Sequence, residues 1–328
     1  MSAVSQPLLS VENLTVSFST ERGPVDAVRG VSLTVDAGET LCLVGESGCG
    51  KSVTCHALLG LLPANGRIAG GAIRFAGRDL ARLSEREMEN LRGREIAMIF
   101  QDPLTALNPV HSVGSQLAEA LVLHRGLSWA AAKAEARRLL DRVRIPDAAR
   151  RLKEYPHQLS GGMNQRVVIA MAMACRPKLI VADEPTTALD VTIQAQILDL
   201  LRELKAEEGM ALLLVTHDLG VVAEMADRVA VMYLGRVAEE GEVRRIFAGP
   251  AHPYTRGLLR SIPRIDVNCA RLATIEGSVP SLHAAPAGCA FAPRCENVSA
   301  ACRQAMPEPR ALSGGHRVAC FAPAFVAA

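Results

Sequence analysis

The sequence lacks any apolar run approaching the roughly 20 residues that a membrane-spanning helix needs. Its opening segment, Met1 to Pro7, lacks the basic start and the apolar core of a secretory signal peptide. Lys and Arg number 36 against 34 Asp and Glu, so the net charge is only +2 and no strong field indicates nucleic acid as a partner. These absences predict a protein that works in the cytosol or docked on a membrane partner.

The cysteine content does not indicate a secreted disulfide framework. Nine cysteines are an odd number, and a chain of 328 residues is long enough for a full hydrophobic core and a second, smaller unit. Hydrophobic residues at 49% and charged residues at 21% are typical of an ordinary globular protein. Four of the cysteines crowd into the last forty residues, so the tail needs an account of its own.

The central motif lies at residues 45–52, which read Gly-Glu-Ser-Gly-Cys-Gly-Lys-Ser and match the phosphate-binding loop. The apolar run Thr40 to Val44 predicts a buried strand before it, and Val53 to Leu62 predicts a helix after it. The glycines let backbone N–H groups turn toward phosphate oxygens, Lys51 can reach the β- and γ-phosphates, and Ser52 can ligate Mg²⁺. The strand and the helix on either side disfavour the alternative, a glycine-rich turn with a chance Lys-Ser pair.

The pattern around this motif predicts an α/β fold. Alternating apolar and polar residues from Leu8 to Phe18 and from Val31 to Val35 predict an antiparallel β layer ahead of the phosphate-loop strand. Phe18 can stack on an adenine ring or can be an ordinary core or edge aromatic. Residues 113–151 are helical in pattern, with Ser128 as an N-cap, and indicate a helical subdomain inserted in a mixed-sheet domain.

Polar side chains follow several of the predicted strands. A buried strand ending at Ala182 delivers Asp183, which can hold Mg²⁺ through its water shell, and Glu184, which can orient and deprotonate an attacking water. Gln101 ends another strand, where it can touch Mg²⁺ or the water, although this signal is weak alone. His217 ends a third strand, where it can contact the γ-phosphate, although a surface histidine is the simpler interpretation.

A second anion site is expected at Leu159 to Met163, which read Leu-Ser-Gly-Gly-Met and lead into a predicted helix. One γ-phosphate cannot lie within both this site and the phosphate loop if the inserted helices hold them apart. We therefore expect the second site to serve a nucleotide bound by another subunit, with a plain Ser-Gly-Gly helix cap as the alternative. Residues 187–190 follow the two carboxylates and lead into a further predicted helix, Ile193 to Leu204.

In order and register these motifs resemble the ABC-transporter ATPase family over about residues 8–260, with a helical subdomain at about 103–175. The resemblance implies a head-to-tail dimer in which each ATP lies between the Walker A loop of one subunit, residues 45–52, and the signature loop of the other, residues 159–163. Met163 departs from the family pattern, in which Gln commonly ends the signature. The predicted nucleotide contacts are Phe18, Gly45, Glu46, Ser47, Gly48, Cys49, Gly50, Lys51, Ser52, Val53, Ser160, Gly161, Gly162 and Asp190. The implied catalytic residues are Glu184, His217 and Gln101, and the implied Mg²⁺ ligands are Ser52, Gln101 and Asp183.

The blocks at residues 100–109, 159–166 and 252–255, and the ending at 288–320, more closely resemble the ATP-binding subunits of oligopeptide and dipeptide permeases. This resemblance implies an ATPase at the cytoplasmic face of a bacterial inner membrane that drives import of peptides, or of nickel, glutathione or related solutes. It also implies two permease subunits, an external solute-binding protein and a second ATPase subunit, expected to be a paralogue. A non-transport ABC ATPase is the alternative.

The tail, predicted as an extension over residues 261–328, is rich in Ala, Pro and Gly from about Asn268 and is expected to bury little core. Its last four cysteines are better explained by metal ligation than by disulfides in a reducing cytosol, and the resemblance favours a 4Fe-4S cluster, with zinc and free thiols left open. These four are Cys289, Cys295, Cys302 and Cys320. In the ATPase domain, the cysteines at 42, 49, 55 and 175 are predicted to be small apolar fillers, although Cys49 is expected to be exposed enough for alkylation.

Overall fold

The computed structural model describes residues 6–187, 189–262 and 274–323. Ala188 in the loop before Asp190, and the start of the predicted tail near Asn268, lie outside the described residues. The chain divides into two compact units: unit 1 comprises residues 1–34, 40–81 and 216–328, and unit 2 comprises residues 35–39 and 82–215. The predicted boundary between residues 260 and 261 stays a prediction.

The strands of the described residues are, in chain order, β1 (Leu9–Thr20), β2 (Gly23–Val35), β3 (Thr40–Val44), β4 (Gly66–Phe75), β5 (Arg78–Asp79), β6 (Ile96–Ile99), β7 (Leu179–Asp183), β8 (Ala211–Thr216), β9 (Arg228–Tyr233), β10 (Arg236–Glu242), β11 (Arg310–Ala311) and β12 (Arg317–Val318). The α-helices are α1 (Lys51–Leu58), α2 (Glu85–Leu91), α3 (Pro103–Ala106), α4 (Val113–Arg125), α5 (Trp129–Arg142), α6 (Ala148–Arg151), α7 (Gly161–Met173), α8 (Val191–Glu208), α9 (Leu219–Met225), α10 (Val243–Ala248), α11 (Pro253–Arg260) and α12 (Ala300–Gln304).

Unit 1 contains the predicted antiparallel layer. Its strands lie in the order β2-β1-β4-β5, and β1 pairs with β4 in antiparallel register from Leu9 opposite Phe75 to Phe18 opposite Gly66. The buried side chains of β1 alternate with more exposed ones, as expected for a layer with one face on the core. The layer is therefore confirmed, and it also includes β4, which begins at Gly66.

Unit 1 also carries a run of five strands in the order β11-β12-β10-β9-β3. Strand β3 pairs with β9 in parallel, whereas the other neighbours are antiparallel, so the sheet is mixed as predicted. All five residues of β3 are buried, which explains why the sequence there is a continuous apolar run. Helix α1, predicted to reach Leu62, ends at Leu58 because Gly60 takes a left-handed φ of 63° and closes the turn.

Unit 2 holds the parallel strands β6, β7 and β8 and the predicted helical insertion. Strand β7 pairs in parallel with β6 and with β8. The hydroxyl of Ser128 caps α5 by accepting a hydrogen bond from the amide of Ala131, and one face of α5 is buried through residues such as Ala136 and Leu140. Helices α3 to α7 lie between β6 and β7 in the chain, as the pattern predicts, and the bounds of the subdomain at about 103–175 stay a prediction. Among the described residues, no helix combines the length and the apolar character that crossing a membrane requires.

The part of the cysteine-rich tail that the structure describes belongs to unit 1, with Phe291 among its buried side chains. Its ring lies edge-on to the ring of Tyr233 with centroids 5.2 Å apart, and its centroid is 5.4 Å from that of Tyr254. The tail strand β12 pairs with β10, and the tail residue His316 lies 2.7 Å from the buried carboxylate of Glu239. The tail residues near this cluster therefore contribute to a core, which the tail's composition did not indicate.

His252, next to this aromatic cluster, leads to a prediction on acid stability. Its ring is 3% exposed, and its Nδ1 accepts a hydrogen bond from the amide of Tyr254 at 3.0 Å. Burial lowers the pKa of His252 from 6.5 to about 4, although Glu239 opposes the shift. Below about pH 6.5 the His252 ring is therefore protonated in the unfolded chain, whereas in the folded chain it is protonated only below about pH 4. The free energy of unfolding should be unaffected by this ring above that window and should fall through it by up to about 3 kcal/mol.

Urea unfolding of the whole chain at a series of pH values between neutrality and about pH 4 measures this loss. The matched variant is His252→Asn, whose side-chain oxygen can still cap α11 but does not titrate. We expect the variant to lose clearly less stability on acidification than the wild-type chain. Equal losses in both proteins would show that His252 does not cause the acid sensitivity.

Candidate active site

The phosphate loop of unit 1 depends on three glycines with positive φ, but for different reasons. Gly45 has a φ of 153°, and a Cβ there would lie 2.2 Å from the carbonyl oxygen of Met232. Gly50 has a φ of 105°, and a Cβ there would lie 2.6 Å from the carbonyl oxygen of Ala27. Gly48 has a φ of 76°, with nothing within 4 Å of its Cβ position. Two of the glycines thus allow close backbone approach, and the third serves the turn alone.

The side chain of Lys51 lies inside the loop and hydrogen-bonds to the loop backbone. It is 5% exposed, and its Nζ donates hydrogen bonds to the carbonyl oxygens of Gly45 at 2.8 Å and Glu46 at 3.1 Å. It is also the first residue of α1, which Gly50 precedes without a side-chain cap. A cation and a helix N-terminus therefore meet at this loop, an arrangement that suits phosphate.

Sequence reasoning missed Tyr254, whose Oη accepts a hydrogen bond from the amide of Glu46 at 2.9 Å.

The prediction that Cys49 is exposed enough for alkylation is wrong. The residue is 1% exposed, and its Sγ lies 3.8 Å from the Nζ of Lys51 and 2.8 Å from the Cβ position of Gly45. Burial raises the pKa of the Cys49 thiol, and Lys51 offsets only part of that rise. The side chain fills the inside of the loop, so the thiol is a packing group.

In unit 2 the predicted catalytic carboxylate is held in a small hydrogen-bond network. Asp183 ends β7 and is buried, and Glu184 follows it with a left-handed φ of 46°. The amide of Glu184 donates to the carbonyl of Val215 at 3.0 Å. Its Oε2 accepts from Nε2 of Gln101 at 3.1 Å and from Oγ1 of Thr187 at 2.9 Å. The structure thus joins Glu184 to Gln101, and a carboxylate oriented in this way can position a water.

The signature loop and the loop before α8 carry helix caps. Ser160 caps α7 by accepting a hydrogen bond from the amide of Met163 at 3.3 Å, and Asp190 caps α8 by accepting one from Ile193 at 2.9 Å. A Cβ at Gly162 would lie 2.8 Å from Cγ2 of Ile193, so this glycine lets α7 approach α8. The cap that the sequence left as the alternative at Ser160 is present, and its role at a nucleotide stays a prediction.

The remaining predicted nucleotide contacts are distributed over both units. The half-exposed ring of Phe18 covers Gly66 on the neighbouring strand, since a Cβ at Gly66 would lie 2.8 Å from that ring. His217 is exposed after β8, in unit 1. Ser47, Ser52 and Val53 belong to unit 1, and Gly161 belongs to unit 2. The roles of these residues at a nucleotide, and their joint arrangement around one nucleotide, stay predictions.

The last four cysteines of the tail line one small cavity of unit 1, next to His252 and Phe291. These residues, Cys289, Cys295, Cys302 and Cys320, are free thiols. Burial raises the pKa of the thiols at 289, 295 and 320, and neighbouring tail thiols raise it further. In the part of the chain that the structure describes, however, no three His, Cys, Asp or Glu side chains are grouped closely enough to hold a metal ion. The predicted metal site is therefore not confirmed.

Comparisons with known proteins match both parts of the chain. A family model described as ABC transporter matches residues 28–187, and one described as the C-terminal region of oligopeptide/dipeptide transporters matches residues 238–302. The dipeptide transport ATP-binding protein DppD of Bacillus subtilis is 54% identical over 317 residues, which cover 96% of this chain and 95% of that protein. The oligopeptide transport ATP-binding protein OppD of Salmonella typhimurium is 54% identical over 316 residues, which cover 96% and 94%.

A solved structure extends the likeness to the fold. The ATP-binding cassette MJ0796, a dimer in a post-hydrolysis state bound to ADP and Pi, aligns with a TM-score of 0.65 and 28% identity. The alignment covers 72% of this chain and 99% of that one. The P-loop ABC ATPase fold expected from the motifs is thereby confirmed.

The glycines of the phosphate loop provide a matched pair of variants. Gly45→Ala combines a strained φ with overlap on the carbonyl of Met232, so it should lower the free energy of unfolding by about 3 kcal/mol or more. Gly48→Ala meets no neighbouring atom and should cost only about 1 to 2 kcal/mol for its left-handed backbone. Thermal and urea unfolding of both proteins compare the two losses. Equal losses would contradict the close approach of the loop to Met232.

Proposed function

The chain belongs to the family of ABC-transporter ATP-binding subunits that serve oligopeptide and dipeptide transport, and we propose that it powers uptake of dipeptides or oligopeptides across a bacterial inner membrane. It is an ATPase subunit. The observation that carries the proposal is the 54% identity to a dipeptide transport ATP-binding protein over 96% of the chain, which includes the tail. The match of residues 238–302 to the C-terminal region of such transporters supports the same solute class.

In the proposed reaction the chain's own groups bind and orient the triphosphate. Lys51 and the amides at the start of α1 bind phosphate oxygens, and the ring of Phe18 stacks on the adenine. Ser52, Gln101 and Asp183 would hold Mg²⁺, which screens the charge of the β- and γ-phosphates when bound. Glu184 orients the attacking water and accepts its proton. Its hydrogen bonds from Gln101 and Thr187 support this role because they restrict the carboxylate to one orientation.

A second ATPase subunit completes the proposed site. Ser160 and the glycines at 161 and 162 of one subunit contact the γ-phosphate bound by the other, with Asp190 nearby and His217 sensing the phosphate. The dimeric state of the cassette MJ0796 supports this arrangement. ATP then favours the closed dimer to the extent that it binds the closed state more tightly than the open one, and closure moves the permeases. The second subunit is proposed to be a paralogue.

The transport partners follow from the family. An importer of this type implies membrane permeases and a solute-binding protein, and we place this subunit at the cytoplasmic face against two permease subunits. The external binding protein selects the peptide, so the peptide itself does not touch this chain. Nucleic acid is not a proposed partner because the net charge is only +2.

The tail cysteines are proposed to hold a 4Fe-4S cluster. The donor chemistry fits, because four thiols line one cavity and four cysteine thiolates are the usual ligands of such clusters. A bound cluster would supply a metal–thiolate crosslink for a segment with few large apolar residues. Among the described residues, these sulfurs do not lie close enough together to hold a metal ion. The test must therefore detect the metal itself.

The proposed function is tested by ATP-driven uptake of a labelled dipeptide into vesicles that carry this subunit with its permeases and binding protein. Glu184→Gln should bind ATP almost as tightly as the wild-type chain and should slow hydrolysis and uptake by roughly 10² to 10⁴-fold, because the variant lacks the general base. Glu203→Gln is the matched control, since Glu203 is a half-exposed glutamate of unit 2 that pairs with Arg144. Uptake of nickel without uptake of peptide would contradict the solute class. Normal hydrolysis in Glu184→Gln would contradict the role of this residue.

The metal proposal is tested on protein purified without oxygen. Cys295→Ser should remove most of the bound iron and acid-labile sulfide and the visible absorption that accompanies them. Cys175→Ser, which changes a thiol of unit 2, should leave all three unchanged. Zinc in the wild-type chain would favour the zinc alternative, and a metal-free wild-type chain would leave free thiols.

A further inference from the structure

Glu46, the second residue of the phosphate loop, uses each of its polar groups within unit 1. Its amide donates a hydrogen bond to Oη of Tyr254 at 2.9 Å. Its carbonyl oxygen accepts one from Nζ of Lys51 at 3.1 Å. Its carboxylate accepts hydrogen bonds from both terminal nitrogens of Arg294, at 2.7 Å and 3.1 Å. One loop residue therefore joins the predicted phosphate-binding lysine to two side chains from the C-terminal part of the chain.

Arg294 is held in position by several contacts besides its pair with Glu46. Its side chain is only 4% exposed, and its guanidinium carbon lies 5.9 Å from the centre of the Tyr233 ring. Its Nε donates to the carbonyl of Glu276 at 3.0 Å and its Nη2 to the carbonyl of Ile275 at 3.3 Å. The paired carboxylate raises the pKa of Arg294 further above its already high value. A buried, two-pronged pair of this kind fixes orientation as well as charge.

The second attachment comes through the aromatic cluster. Tyr254 lies in α11 and its ring packs on Phe291, with centroids 5.4 Å apart. Phe291 and Arg294 belong to the same short segment of the tail. Burial raises the pKa of Tyr254, so its hydroxyl remains neutral next to the loop. The tail segment therefore reaches the phosphate loop directly through Arg294 and indirectly through Tyr254.

The charge on Glu46 explains why this attachment matters for ATP. An acidic side chain in a loop that binds a triphosphate repels the ligand unless a cation compensates it. Lys51 touches the backbone of Glu46 and is assigned to the phosphates, so it is not the partner of the carboxylate. Arg294 supplies that compensation from a largely buried position, where solvent screening is weak.

We propose that Arg294 is a positioning residue of the nucleotide site: it neutralises and holds Glu46, so that the C-terminal region sets how tightly the phosphate loop binds ATP. Arg294 acts through Glu46 and does not itself touch the nucleotide. The proposal rests on the proposed function, in which this loop binds the triphosphate. It differs from a tail that is merely anchored to the loop, because anchoring alone predicts no dependence on the charge of Glu46.

The test compares ATP affinity across a small set of full-length variants, measured by titration with a fluorescent ATP analogue and by KM for ATP. Arg294→Met should weaken ATP binding about tenfold or more and raise KM with little change in kcat, because it leaves an unpaired carboxylate beside the triphosphate. Adding Glu46→Gln to that variant should restore most of the affinity, because it removes the repulsion. Arg303→Met, which changes an exposed arginine of the tail, should leave both quantities unchanged.

Wild-type affinity in Arg294→Met would overturn the proposal, and so would a double variant that binds no better than Arg294→Met. Arg294→Lys keeps the positive charge but cannot bind the carboxylate through two nitrogens, so it should weaken ATP binding only roughly two- to threefold. This variant provides the comparison if Arg294→Met fails to fold. A Lys variant as weak as Lys51→Ala would also contradict the proposal. Lys51→Ala tests the nucleotide site independently of Arg294. If this variant binds ATP normally, the proposed nucleotide site is wrong. If it loses ATP binding, the site is supported, whatever the Arg294 variants show.

Discussion

The close approach of the phosphate loop to the backbone of two strands is the constraint on which unit 1 depends. Gly45 lies against the carbonyl of Met232 in β9, and Gly50 lies against the carbonyl of Ala27 in β2. The parallel pairing of β3 with β9 brings the start of the loop to this place. The loop is thus shaped by one strand that precedes it in the chain and one that follows it, and Lys51 lies in its interior.

Unit 2 supplies a different kind of order, in which side chains hold a carboxylate. Glu184 takes a left-handed backbone conformation at the end of β7, and its side chain is held by Gln101 and Thr187. Strained conformations of this type persist where the surrounding contacts determine them and are frequent at functional sites. Hydrogen bonds that restrict Glu184 to one orientation suit a group that must align a water, which agrees with an ATPase subunit.

Local patterns predicted the parts of the fold that local physics decides. The apolar runs of β3 and β7, the Ser128 cap and the apolar face of α5 were all recognisable because each is encoded within a few neighbouring residues. Burial of Cys49 was not, because it depends on packing inside the loop. The pair between Glu46 and Arg294 joins residues 248 positions apart, and no periodicity records such a contact. The tail looked too poor in large apolar residues to contribute to a core, yet Phe291 completes an aromatic cluster with Tyr233 and Tyr254.

The central claim is that a triphosphate binds the loop at residues 45–52 of one subunit while the tail of the same chain holds that loop in place. The most direct measurement is an experimental structure of the Glu184→Gln assembly with ATP and Mg²⁺. We expect phosphate density at the amides that follow Glu46, an intact pair between Glu46 and Arg294, and the Ser160 loop of a second subunit at the γ-phosphate. A triphosphate bound away from the loop, or Glu46 released from Arg294 when ATP is bound, would contradict the account.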